Sequence, residues 1–191
     1  MLNDQEVEFL QAKDYFLLKR KVDEQVNKLL YDVQQSLLSN WKNKTDWFIP
    51  EEASPIPGKV SRGYNYKGFP YQVFDFPSTF GDEGIFSFRV IVWYGNFFSC
   101  NLILTEKFIP FYRDKLSELT NSKVGLIVDE NIWETDTSHL HTLELNSNNL
   151  YLAEDYFTKN KSIRLFKQFN MNQIKALHRL SIECFNEWLS K

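Results

Sequence analysis

Between Phe86 and Thr105 the chain reads FSFRVIVWYGNFFSCNLILT, its most apolar and most β-branched run. Two apolar halves flank Gly95-Asn96, a pair that tolerates positive φ and therefore favours the tight turn of a β-hairpin. The window is also long enough to suggest a membrane span. A spanning helix, however, would bury Arg89, Gly95, Asn96, Ser99 and Asn101 in lipid. A hairpin is expected here, and no membrane segment.

With Gly95 and Asn96 as the whole turn, Tyr94 pairs with Phe97. The register then steps outward through Trp93 with Phe98 to Arg89 with Leu102 and Phe88 with Ile103. One face carries Arg89, Ile91, Trp93, Phe98, Cys100, Leu102 and Leu104. The other carries Phe86, Phe88, Val90, Val92, Tyr94, Phe97 and Ile103, with Ser99 and Asn101 among them. Neither face is polar enough to meet water along its length, so the hairpin belongs at the centre of a sheet covered on both sides. Arg89 and Asn101 are then the polar groups most in need of partners. A buried guanidinium requires pairing, either with a structural carboxylate such as Asp75 or with an anionic ligand that fits its planar fork. In this register Arg89 and Asn101 lie on opposite faces and cannot share a pocket.

Residues 3–41 read as one long amphipathic helix. Asn3 and Glu6 have capping-box spacing, and Leu18, Val22, Val26, Leu29, Val33 and Leu37 recur at helical intervals. Packing on the chain's own sheet is the simplest use of that stripe, and a homodimer seam is the competing one. Pro50, Pro55, Pro57 and Gly58 mark residues 42–63 as a loop. Strand patterns follow through residues 64–169, interrupted by a helix near 109–120. A final helical stripe runs from Ile174 through Leu177, Leu180, Cys184 and Phe185 to Trp188. The expected architecture is a single α+β domain spanning 1–191. Its core is a mainly antiparallel twisted sheet of about five to seven strands with the Gly95-Asn96 hairpin at its centre. A long N-terminal helix and a C-terminal helix over 170–191 cover it.

Several function classes are disfavoured. The net charge of −3 argues against a duplex-DNA binder, whose affinity depends on neutralising phosphates. Charge is uneven along the chain: residues 50–158 hold eight Lys/Arg against fifteen Asp/Glu, and residues 159–191 hold seven against two. That asymmetry suits self-association or an acidic partner at the C-terminal helix. The first residues, MLNDQEVEFL, lack the basic and apolar regions of a secretory signal. Cys100 and Cys184, the two cysteines, read as buried thiols and not as a disulfide or zinc framework. A cytoplasmic location is expected, and nothing calls for a cofactor.

No Walker A, G-x-S-x-G, G-x-G-x-x-G or H-E-x-x-H motif is present. What remains is a set of polar and aromatic residues around the hairpin. Tyr64, Tyr66 and Tyr71 alternate with Arg62 and Lys67 in a Gly-containing segment, as on a platform for single-stranded nucleic acid or sugar. Asp75, Arg89 and Trp93 complete a candidate ligand site at the sheet. His139 and His141 in TDTSHLHTLE would point the same way on a strand, the arrangement of a metal-ligand pair, with Asp136 or Glu134 as a third donor. The leading expectation is a domain that binds a small ligand or a protein partner without catalysis. The competing readings are an enzyme with an unfamiliar, metal-assisted site and a structural homodimer.

Overall fold

A computed structural model of the protein describes residues 1–43, 46–121, 123–128 and 131–191. Seven strands form one sheet: β1 (Ser61–Tyr66), β2 (Phe69–Gly81), β3 (Gly84–Trp93), β4 (Phe97–Thr105), β5 (Gly125–Ile127), β6 (Thr142–Glu144) and β7 (Ser162–Asn170). Their spatial order is β1-β2-β3-β4-β7-β5-β6, and every pairing is antiparallel. The helices are α1 (Asp4–Gln11), α2 (Lys13–Asn43), α3 (Phe108–Tyr112), α4 (Leu150–Lys159) and α5 (Leu177–Leu189). The fold is α+β, with the β3–β4 hairpin at the centre of the sheet, as the sequence pattern predicts. No helix of the described residues is long and apolar enough to cross a membrane.

The hairpin register differs from the expected one by a single residue. Trp93 pairs with Phe97, and Arg89 pairs with Asn101. The loop has three residues, Tyr94 to Asn96, closed by the Asn96 amide donating to the Trp93 carbonyl at 3.1 Å. Only Gly95 has positive φ, at 75°, which fits the third position of a type II turn and not a primed two-residue turn. The primed geometry occurs one hairpin earlier. There Lys67 and Gly68, with φ of 49° and 84°, join β1 to β2. Because side chains alternate, the one-residue slip moves half of the hairpin to the opposite face.

The first face is apolar. Phe74, Phe86, Phe88, Val90, Val92, Phe98, Cys100, Leu102, Leu104, Ile163 and Leu165 are all buried on it, and α2 and α5 cover it. From α2 come Val26, Leu30, Val33 and Leu37; from α5 come Leu177, Cys184, Phe185 and Trp188. Phe88 meets the rings of Phe185 and Trp188 at centroid separations of 5.3 and 5.9 Å. Each fully buried side chain of this size contributes roughly 2–3 kcal/mol of transfer free energy. Ser36 on α2 and His178 on α5 are hydrogen-bonded at 2.9 Å, tying the two covering helices together.

The expected single helix over 3–41 is interrupted at Ala12, where ψ is 67°. Alanine is a good helix former, so propensity does not account for the break. The Phe9 ring lies 4.9 and 5.4 Å from those of Tyr15 and Phe16, and this aromatic cluster sits at the corner. The capping box between Asn3 and Glu6 is present. Near residue 109 the α-helix is short, and a 3-10 helix over Arg113–Asn121 continues it.

Candidate functional site

The second face of the sheet has a different chemistry. The corrected register sets Asp75 directly across from Arg89, and Arg89 directly across from Asn101. Arg89 grips Asp75 with both arms of its fork, Nε to Oδ1 at 2.8 Å and Nη2 to Oδ2 at 3.0 Å. The Ser87 hydroxyl donates to the same Oδ1 at 2.6 Å. The structural pairing weighed from the sequence is therefore formed, and the Trp133 ring lies 5.0 Å from the guanidinium carbon of Arg89.

Next to this pair stands a second guanidinium. Arg164 on β7 is 3% exposed, and its Nε donates to Asn101 Oδ1 at 2.9 Å. Its Nη1 donates to the Ile132 and Glu134 carbonyls at 3.1 and 2.6 Å. These partners are neutral oxygens, so the positive charge is solvated by dipoles in place of a carboxylate. The Arg164 pKa is lowered to about 10: burial is the largest cause, the neighbouring Arg89 charge adds to it, and Glu134 partly opposes both.

At the other end of the face lies an aromatic group centred on Trp93. Its ring is 5.1 Å from Tyr66, 5.3 Å from Phe97 and 6.3 Å from Phe69, and its indole N–H donates to the Tyr66 carbonyl at 3.3 Å. The Tyr71 ring lies over Gly63, where an added Cβ would come within 2.3 Å of it. A side chain at position 63 would displace Tyr71 from the face.

Residues 131–141 cross this face as a strap. Arg164 holds it by its backbone, and Tyr66 accepts the Asp136 amide at 3.1 Å. Lys67, projected by the primed turn, reaches Asp136 Oδ2 at 3.0 Å and Glu134 Oε1 at 3.5 Å. Thr137 donates to Gln168 on β7 at 3.0 Å. The Ser138 hydroxyl is the largest cause of an Asp136 pKa lowered to about 2; burial opposes it and Lys67 adds to it. Asp136 is thus a charged anchor throughout the ordinary pH range. Beside the strap opens a cleft of about 500 Å³ lined by Trp93, Gly95, Asn96, Phe97, Asp136, Thr137, Ser138 and Gln168. A second cleft, about 480 Å³, continues past Gln168 over Phe166, Gly125, Thr142 and Glu144.

Of the six candidate ligand residues, Tyr66, Tyr71, Asp75, Arg89 and Trp93 share this face, and Tyr64 does not. A register shift between Gly63 and Tyr66 breaks the alternation that would have kept Tyr64 and Tyr66 together. Tyr64 instead lies under Lys19 of α2, 5.7 Å from its ring centroid. The proposed histidine pair loses its premise. His139 ends a 3-10 turn over Thr137–His139, and His141 lies before β6 begins, so the two are not successive residues on one face of a strand. Among the described residues no group of three His, Cys, Asp or Glu side chains could hold a metal ion.

The sequence pattern pointed to Asp75, Arg89 and Trp93, and to Lys67 as a basic member of the tyrosine platform, but not to Arg164 or Gln168. Arg164 is 63 residues from its Asn101 partner, and no local periodicity signals such a pair. Chemically the face is rich in donors, acceptors and ring edges. Asp75 is engaged by Arg89 and Ser87, which leaves it poorly placed to act as a general acid. No protein-family model matches the chain, and neither a curated protein nor a solved structure matches it.

Proposed function

We propose that the protein is a binding module without catalysis, and that it takes a small polar ligand in the cleft between the Trp93–Phe97 turn and the strap. The observation that supports this most directly is the lining of that cleft. Two aromatic rings, the amides of Asn96 and Gln168, the hydroxyls of Thr137 and Ser138 and the Asp136 carboxylate converge on about 500 Å³. Ring surfaces beside a few fixed hydrogen-bonding groups form the usual recipe for a ligand pocket, and hydroxyl-bearing ligands suit this donor and acceptor set. Behind the cleft, the Asp75–Arg89 pair and the Asn101–Arg164 pair hold the sheet face and the strap in place. Arg89 and Tyr66 thus act as supports of the site, with Trp93 and Gln168 at the ligand.

Native mass spectrometry of freshly purified, untagged protein tests this reading. The expected spectrum carries an additional small mass that Gln168→Ala and Ser138→Ala each remove at least in large part. Neither side chain is in the apolar core, so both variants fold. A retained mass that survives both substitutions would place the ligand elsewhere, and any metal that copurifies in stoichiometric amount would overturn the metal-free reading.

A further inference from the structure

The helical stripe that packs α2 onto the sheet does not stop where the sheet does. Val26, Leu30, Val33 and Leu37 are buried, whereas Leu18 and Val22, two turns and one turn earlier on the same stripe, are 60% and 41% exposed. No residue of α1 is buried. Ten of the nineteen exposed large apolar side chains among the described residues fall within the first 22 positions, including Leu2, Phe9, Leu10, Phe16, Leu17 and Leu18. So concentrated an apolar surface marks an interaction site.

The charges on this arm indicate its occupant. Residues 1–12 carry Asp4, Glu6 and Glu8 and no basic side chain, a charge of −3. Residues 13–21 carry Lys13, Lys19, Arg20 and Lys21 against Asp14 alone, a charge of +3. Lys19 and Arg20 are engaged by Asp23 and Glu24 one turn along. Asp4, Glu8, Lys13 and Lys21 form no ion pair among the described residues. The two halves of the arm are therefore complementary to each other, yet they follow one another along the chain and are joined by the corner at Ala12. Two arms laid antiparallel satisfy both at once, the acidic half of each against the basic half of the other. In such a two-fold arrangement every contact occurs twice. A lipid surface fits the arm less well, because interfacial helices are typically rich in Lys and Arg on the polar face, and α1 is acidic.

We infer that residues 1–22 form a homodimer interface in which two arms pair antiparallel about a two-fold axis, apolar face to apolar face and acidic half to basic half. The seam lies outside the Val26–Leu37 part of the stripe, which the chain's own sheet occupies. Sedimentation velocity on the full chain at micromolar concentrations tests the inference, since Leu18 is exposed in the protomer and its replacement leaves the fold intact. The protein is expected to sediment as a dimer, and Leu18→Glu should raise its dissociation constant at least about tenfold. The charge blocks D4K/E8K and K13E/K21E should each weaken the dimer by about tenfold, and their combination should restore it. A monomeric wild-type protein overturns the inference, including one that instead cosediments with anionic phospholipid vesicles. So does a dimer indifferent to Leu18→Glu, or one in which the combined charge blocks fail to rescue.

Discussion

The two faces of the central sheet are built from the same strands and solve different problems. On the first face, rings and aliphatic chains from β2, β3, β4 and β7 meet two long helices, and apolar burial is the main source of stability. On the second, Asp75, Arg89 and Asn101 face one another across three strands, and Arg164 of β7, two residues off their line, reaches Asn101 diagonally; a loop closes this face instead of a helix. A polar row of this kind contributes little net stability, because what hydrogen bonds return is largely offset by desolvation. What it does provide is geometry. Arg164 and Lys67 fix where the strap lies, and the cleft opens beside it.

The largest predicted difference between the faces comes from truncation. Phe88→Ala removes a ring packed against Phe185 and Trp188, and should cost about 4 kcal/mol in equilibrium denaturation, as other buried Phe truncations do. Arg164→Met strips the Ile132 and Glu134 carbonyls and Asn101 of their donor, and should cost about 2 kcal/mol. Its effect on the two faces should be unequal, with the strap loosened and the helices unchanged. Asn101→Leu alone leaves the Arg164 charge poorly solvated. Combined with Arg164→Met it should cost less than the two single changes together, because an apolar row can replace a buried polar one. If the two substitutions are additive instead, the row is not a coupled network and the contrast between the faces weakens.

A smaller effect should appear with pH. Asp136 has a folded pKa lowered from 3.8 to about 2. A depressed carboxylate pKa contributes stability that is present above about pH 4 and is lost as pH falls toward 2. The strap should therefore open in acid before the core does. Asp136→Asn should flatten that part of the stability profile, which titration of strap resonances by NMR can follow. A profile unchanged by Asp136→Asn would assign the acid response to other carboxylates.

Much of the architecture was legible because periodicity is local. The Phe86–Thr105 hairpin, the α2 stripe, the α5 stripe and the β7 alternation each declare themselves within a few turns of chain. The register of the hairpin was not. Gly95-Asn96 satisfies a two-residue primed turn and a three-residue loop equally well by composition, and only the positive φ at Gly95 alone distinguishes them. That single step decided whether Arg89 and Asn101 share a face. Similarly, Tyr64 and Tyr66 alternate cleanly in sequence, and the irregularity after Gly63 separates them. Arg89 needed a partner on charge grounds, and Asp75 was the nearest candidate. Arg164 gave no such sign, since its alternating strand SIRLFKQF reads equally well with that position at the surface.

The contrast between a packed face and a strapped one is measured most directly by backbone hydrogen exchange. In the wild-type protein, amides of residues 131–141 should exchange through openings of much lower free energy than those of β3 and β4. Arg164→Met should then accelerate the strap amides further while α2 and α5 keep their protection. Strap amides as slow as those of β3 and β4, or acceleration that spreads equally into the helices, would mean that the two faces open as one unit, contrary to this account.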